Sequence, residues 1–159
     1  MAHITIEYMI FIPVLIAQIF LFPLTATIIM NSWEDSRQVL ELQQTAGNLG
    51  SSIQQLYYTM HRDTVSDGTM RIILSVPSFI DGRVYTTILS HVTASETSYE
   101  IMNVTLRLVG TTSQASTLVT LGPNVDWQEN MSFNSTAPSL SFVANKTANS
   151  IWLSFGGVS

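Results

Sequence analysis

Cysteine is absent, which removes disulfide frameworks, thiolate catalysis and cysteine-ligated metal sites together and leaves the redox compartment open. Basic residues are scarce as well. Six Lys and Arg against eleven Asp and Glu give a net charge of −5, so no basic face exists to collect phosphates and nucleic acid is not an indicated partner. Charged residues make up 11 % of the 159 positions, well below the roughly 25 % usual in soluble domains. Ser and Thr do the solvating instead, and a surface of hydroxyls and amides suits a sugar coat or tight side-by-side packing. Proline is missing from Pro23 to Pro77, so nothing in that stretch forbids a continuous helix. The HExxH, GxSxG, Walker and dinucleotide-binding patterns are missing too.

The chain does have a long apolar run at its start, MAHITIEYMIFIPVLIAQIFLFPLTATIIM, with a single acid, Glu7, near the beginning. About 27 residues of helix from Ile4 to Met30 reach roughly 40 Å, enough to cross a bilayer with some tilt. A carboxylate at such a depth costs about 2.5–3.5 kcal/mol on insertion scales and calls for a partner charge or a use. The plainer reading is an acid at headgroup level with no special role. Pro13 and Pro23 lie inside the run and predict a kink or local melting at each. The run lacks the positive n-region of a secretory signal and exceeds its apolar length, so cleavage after it is not expected.

Beyond Asn31 the pattern turns amphipathic. Val39, Leu42, Ala46, Leu49, Ile53, Leu56 and Met60 recur three and four apart, a stripe fit to pack a helix onto a neighbouring domain. One helix is therefore expected from about Ile4 to Arg62, apolar all round in its first half and two-faced in its second. Gly47 and Gly50 weaken that second half by about 1 kcal/mol each relative to alanine. They either mark a close approach by another element or are tolerated on a supported helix.

Near Asp67-Gly68 the pattern becomes short apolar runs between turn residues, which predicts antiparallel strands at Met70–Val76, Arg83–Val92, Tyr99–Val109, Ser116–Leu121, Leu140–Ala144 and Ile151–Phe155. In the third, Met102, Val104, Leu106 and Leu108 alternate with Asn103, Thr105 and Arg107. Trp152 and Phe155 predict that the last strand packs against the helix. The expected fold class is α+β, a long N-terminal helix followed by an antiparallel β-sheet domain. Its parts are residues 1–30, an apolar membrane or filament-core helix, residues 31–66, the amphipathic continuation, and residues 67–159, the β-domain.

Chemistry-bearing residues do not cluster. His3, His61 and His91 fall in different elements, and Asp81, Glu96, Glu100, Asp126 and Glu129 read as solvated charges at turns and strand edges. No enzyme, metal or cofactor is expected. Four N-glycosylation sequons begin at Asn103, Asn130, Asn134 and Asn145, all in the β-domain, with Asn103 on a polar strand face and the others in loop-like stretches.

The order of acid-bearing apolar start, long helix and β-domain resembles the type IV pilin superfamily, and Ile4-Thr5-Ile6-Glu7-Tyr8-Met9-Ile10 resembles the archaeal class III signal-peptide motif. The resemblance is to the pilin branch rather than to archaeal flagellins. It covers the helix by motif and the β-domain by architecture only. It implies that a prepilin peptidase cuts between Ala2 and His3 and that Glu7 is the fifth mature residue, although the leader Met1-Ala2 is short and carries no Lys or Arg. It further implies an assembly surface around Ile4, Glu7, Tyr8, Pro13 and Pro23, with Glu7 pairing with a neighbour's amino group. The subunit would wait in the cytoplasmic membrane, then enter a glycosylated homopolymeric filament at the cell surface with the help of a pilus assembly machinery, for adhesion. The competing expectation is a single-pass anchored β-domain that binds a ligand or partner. A dimeric coiled-coil stalk would use the same amphipathic stripe.

Overall fold

The structure, a computed structural model, describes residues 2–92, 99–137, 140–148 and 150–156, the side chains of residues 2–8 and 10 aside. It is an α+β fold of one long helix and two four-stranded sheets. Helix α1 runs Ala2–Met60 without a break. The strands are β1 Gly68–Ile73, β2 Tyr85–Val92, β3 Ile101–Leu108, β4 Gln114–Thr120, β5 Val125–Trp127, β6 Met131–Asn134, β7 Ser141–Thr147 and β8 Ser150–Gly156. The chain divides into two compact units, Met1–Arg37 and Gln38–Ser159.

In the second unit the sheets have strand orders β1-β7-β8-β5 and β4-β3-β2-β6. Every pairing is antiparallel except β5 with β8, where Val125, Asp126 and Trp127 run alongside Ile151, Trp152 and Leu153. That parallel pair departs from the all-antiparallel expectation. It forms because the turn before β5, with Asn124 at φ 63°, lets the Asn124 carbonyl accept the Ile151 amide at 2.8 Å. Strands β5 and β6 were also missed by the sequence reading, since three and four residues are too few to show a period.

One core joins all three layers. The first sheet contributes Phe142, Ala144, Ile151, Leu153, Val125 and Trp127; the second contributes Tyr85, Leu89, Met102, Val104, Leu106 and Phe133. Aromatic contacts run both within and between the sheets. Phe155 sits edge-on to Phe133 at 4.6 Å and to Phe142 at 5.2 Å, and the His91 ring stacks on Trp127 at 3.8 Å with only 5° between planes. Trp152 points the other way and is 47 % exposed, correcting the expectation that it packs inward. Period-two alternation decides this: Ile151 and Leu153 take the inner face, so Trp152 must take the outer one.

The helix supplies the third layer through Leu42, Ala46, Leu49, Ile53, Leu56, Tyr57 and Met60, all essentially buried. Each large apolar side chain so covered stabilises the domain by about 1.5–3 kcal/mol. Val39 does not join them; it is 37 % exposed, against expectation. The inward position at that end goes to Gln38, which donates to Asp81 Oδ2 at 2.7 Å and accepts from Ser113 Oγ at 3.3 Å. Asp81 and Gly82 both have positive φ, 50° and 69°, in a two-residue turn closed by reciprocal bonds between Ile80 and Arg83 at 2.9 Å, the conformation an Asp-Gly pair favours. At its other end the helix stops two residues short of the expected Arg62, and Lys146 Nζ donates to the Arg62 and Val65 carbonyls of the turn that follows, at 3.0 and 2.8 Å.

The two helix glycines separate. A Cβ on Gly50 would lie 2.9 Å from Val119 Cγ2 and 3.2 Å from Thr117 Cγ2, whereas one on Gly47 would meet nothing within 4 Å. Gly50 therefore marks the close approach of α1 to β4. Gly47→Ala is expected to raise the stability of the domain by about 0.5–1 kcal/mol, while Gly50→Ala lowers it by about 1 kcal/mol or more because two stiff β-branched side chains must move. Thermal unfolding of the two variants beside wild type checks the opposite signs.

Tyr85 gives a second prediction. It is fully buried, its hydroxyl donates to the Pro77 carbonyl at 2.7 Å, and burial pushes its pKa from 10.0 up to about 12. The folded state holds this proton more tightly than the unfolded chain does. The associated stability is complete below pH 10 and is lost as the pH rises from 10 through about 12. Circular dichroism in an alkaline denaturation series should show a shallower loss across that window for Tyr85→Phe than for wild type.

Candidate functional site

The first unit is a stretch of helix with an apolar surface. Every large apolar side chain from Phe11 to Met30 is at least half exposed, including Phe20 and Phe22. The helix is long and apolar enough to cross a membrane, its most apolar 18-residue window having mean hydropathy 2.2 and no buried residue. Leaving so many side chains in water would cost on the order of 20 kcal/mol or more. Such a surface suits a non-aqueous neighbour, lipid or other protein.

Backbone and side chains in this segment are adapted to such surroundings. Pro13 and Pro23 sit within unbroken helix, so that of the kink or local melting expected at each the melting does not occur. Beside Pro23, the Thr25 hydroxyl donates to the Leu21 and Phe22 carbonyls, both at 3.0 Å, and Thr27 donates to the Pro23 carbonyl at 2.8 Å. Threonine hydroxyls folded back in this way present only methyl groups outward. The side chains of Ile4, Glu7 and Tyr8, and of Ala2 and His3 at the expected cleavage position, lie outside the described residues.

The amphipathic stripe is consumed within the second unit. Leu42, Ala46, Leu49, Ile53, Leu56 and Met60 are 0–2 % exposed, so these side chains are not free to form a coiled-coil stalk. Tyr57, which the three-four spacing passed over, is buried with them, and its hydroxyl meets the backbone at Gly122. Burial raises the Tyr57 pKa, opposed by the hydrogen bond at Gly122. The His61 ring stacks on Tyr57 at 5.2 Å, and with Tyr58, Tyr99 and Pro123 these rings border a shallow groove of about 220 Å³. Aromatic enrichment at residues 57, 58 and 61 is a signal that could have pointed to it.

The described acids singled out in the β-domain are exposed, and three of them also make contacts. Asp81 receives Gln38; Glu100 and Asp126 flank the two ring nitrogens of His91 at 3.9 and 3.8 Å; Asp126 also accepts the Trp127 amide at 2.8 Å. Glu129 is exposed, and Glu96 lies outside the described residues. Among the described residues no three His, Cys, Asp or Glu side chains converge to hold a metal ion.

The outer face of the second sheet mixes the hydroxyls of Thr86, Ser90, Thr105, Ser116 and Ser132 with apolar Ile88, Ile101 and Leu118. Asn103 shares it, half-buried in the middle of β3 between Ser90 and Leu118, with Oδ1 buried and unbonded. Asn130 is exposed in a turn with φ 56°. Asn134 and Asn145 are exposed as well, but they end β6 and lie within β7 rather than in loops. In a host that adds N-glycans after folding, glycopeptide mass spectrometry is expected to find modification at Asn130, Asn134 and Asn145, with Asn103 unmodified.

No protein-family model, no curated protein and no solved structure matches this chain.

Proposed function

We propose that the protein is the structural subunit of a type IV pilus-like filament at the cell surface, held in the cytoplasmic membrane before assembly and polymerising through its apolar helix. The observation that carries this reading is the division of labour along α1. The same unbroken helix gives its second half to the core of its own domain and, among the described residues, leaves the large apolar side chains from Phe11 to Met30 exposed. In a membrane those residues meet lipid; in a filament they exchange lipid for the same residues of neighbouring copies, at little net hydrophobic cost. Glu7, at the start of the run, would pair with a neighbour's amino group and set axial register. The resemblance of residues 4–10 to the class III motif supports the same reading, with a prepilin peptidase and an assembly machinery as processing partners. The β-domain then forms the outer, glycan-bearing surface used in adhesion.

A second reading, an anchored domain that binds a ligand, is favoured by the groove at Tyr58 and Tyr99, whose rings are 58 % and 57 % exposed. The buried stripe does not separate the two, because both need a folded domain. Shearing cells that express the protein, with electron microscopy and amino-terminal mass spectrometry of the released material, does separate them. Thin filaments built of this chain and beginning at or near His3 are expected. Glu7→Ala is expected to leave membrane insertion intact and to cut filament yield severalfold. An intact chain that stays in the membrane as a monomer overturns the filament reading.

A further inference from the structure

Gln18 stands apart within the apolar segment. From Phe11 to Met30 the polar side chains are Gln18, Thr25 and Thr27. The two threonines satisfy themselves on carbonyls of their own helix. Gln18 is exposed, and its carboxamide makes no bond with any described residue. One residue further on is a matching deficiency. Pro23 has no N–H, so the Ile19 carbonyl lacks the donor that every ordinary helical position would supply from four residues ahead. Leu15, Gln18, Ile19, Phe22 and Pro23 lie together along this stretch of the exposed helix surface.

In water both groups would be solvated. In hydrocarbon neither has a partner, and an unpaired amide or carbonyl there costs several kcal/mol. The residues that carry the donor and the acceptor are adjacent in sequence, their Cα atoms about 1.5 Å apart along the axis. The pair is therefore self-complementary. Two copies lying parallel, as copies inserted in the same sense must, can each give a Gln18 N–H to the other's Ile19 carbonyl with almost no axial offset. A partner of different sequence would have to reproduce both groups at that depth, whereas a second copy does so by identity.

We propose that Gln18 and the proline-freed Ile19 carbonyl form a reciprocal polar clasp between neighbouring copies of this chain. The clasp rests on the reading that the apolar segment is surrounded by lipid or by other copies. It adds a point of register in the middle of the segment, eleven residues beyond Glu7. It also assigns Pro23 a role in exposing an acceptor, since the helix continues through it.

The absence of cysteine makes the test direct. Full-length protein carrying Ser66→Cys, labelled with donor or acceptor dye and reconstituted in phosphatidylcholine vesicles, reports self-association by energy transfer as protein density is varied. Gln18→Leu is expected to weaken association about three- to tenfold, the range found for hydrogen bonds between membrane helices. Pro23→Ala gives the Ile19 carbonyl back its intrahelical donor and is expected to weaken association to a similar extent, with the double variant no weaker than the weaker single. Unfolding of the β-domain should be the same in all four proteins. Wild type that does not associate, Gln18→Leu that associates like wild type, or effects of the two substitutions that multiply would each overturn the clasp. Filament formation on cells is scored separately. Cells without filaments but with the vesicle pattern intact would sink the filament function and leave the clasp standing; filaments with no vesicle effect would do the reverse.

Discussion

The packing of residues 38–60 of the helix into the β-domain is the interaction on which the second unit depends. Two four-stranded sheets, one ending in a three-residue strand, enclose little apolar volume by themselves. The helix stripe from Leu42 to Met60 supplies seven buried side chains to the shared core. Its position is set at both ends by polar contacts, Gln38 with Asp81 and Ser113 at one and Lys146 with the Arg62 and Val65 carbonyls at the other. Between them Gly50 allows the helix backbone to close on Val119 and Thr117. A polar pin at each end and a missing Cβ in the middle define the depth and register of a surface that would otherwise be free to slide.

That anchoring gives the rest of α1 its meaning. Because the stripe is consumed, the helix cannot satisfy its apolar first half by turning the same residues outward or by pairing them in a coiled coil. The exposed segment must find cover elsewhere, and it offers no charged side chain from Phe11 to Met30 to help it into water. Hydroxyls folded onto carbonyls at Thr25 and Thr27, set against an unbonded carboxamide at Gln18, divide the segment into groups that are complete and one that is waiting for a partner. In the proposed filament a second copy would supply such a partner without any change in the domain that the same helix stabilises.

Much of this was legible in the chain. Strict alternation in β3 identified Met102, Val104, Leu106 and Leu108 as its inner face, and the three-four recurrence from Leu42 to Met60 identified the buried side of the helix. Legibility failed where the signal was shorter than a period or where two residues competed for one place. Strands β5 and β6 were too brief to alternate. Gln38 displaced Val39 because its partners, Asp81 and Ser113, lie 43 and 75 residues away, which no local pattern records. Of the candidate site, Pro13, Pro23 and the length of the apolar run were plain, while the deficiency shared by Gln18 and Ile19 emerged only once Thr25 and Thr27 were seen to be self-satisfied.

The sequence by itself determined where apolar surface exists: a continuous run with a proline at each of two points, then a stripe, then alternating strands. Those are local periodicities, dictated by the 3.6- and 2-residue repeats of backbone geometry. Tertiary structure alone decided which of that surface is covered from within. Gly50 is functional packing and Gly47 is open, Trp152 faces out although it is larger than its buried neighbours, and β8 accepts β5 in parallel, because each outcome depends on which distant backbone arrives at van der Waals or hydrogen-bonding distance.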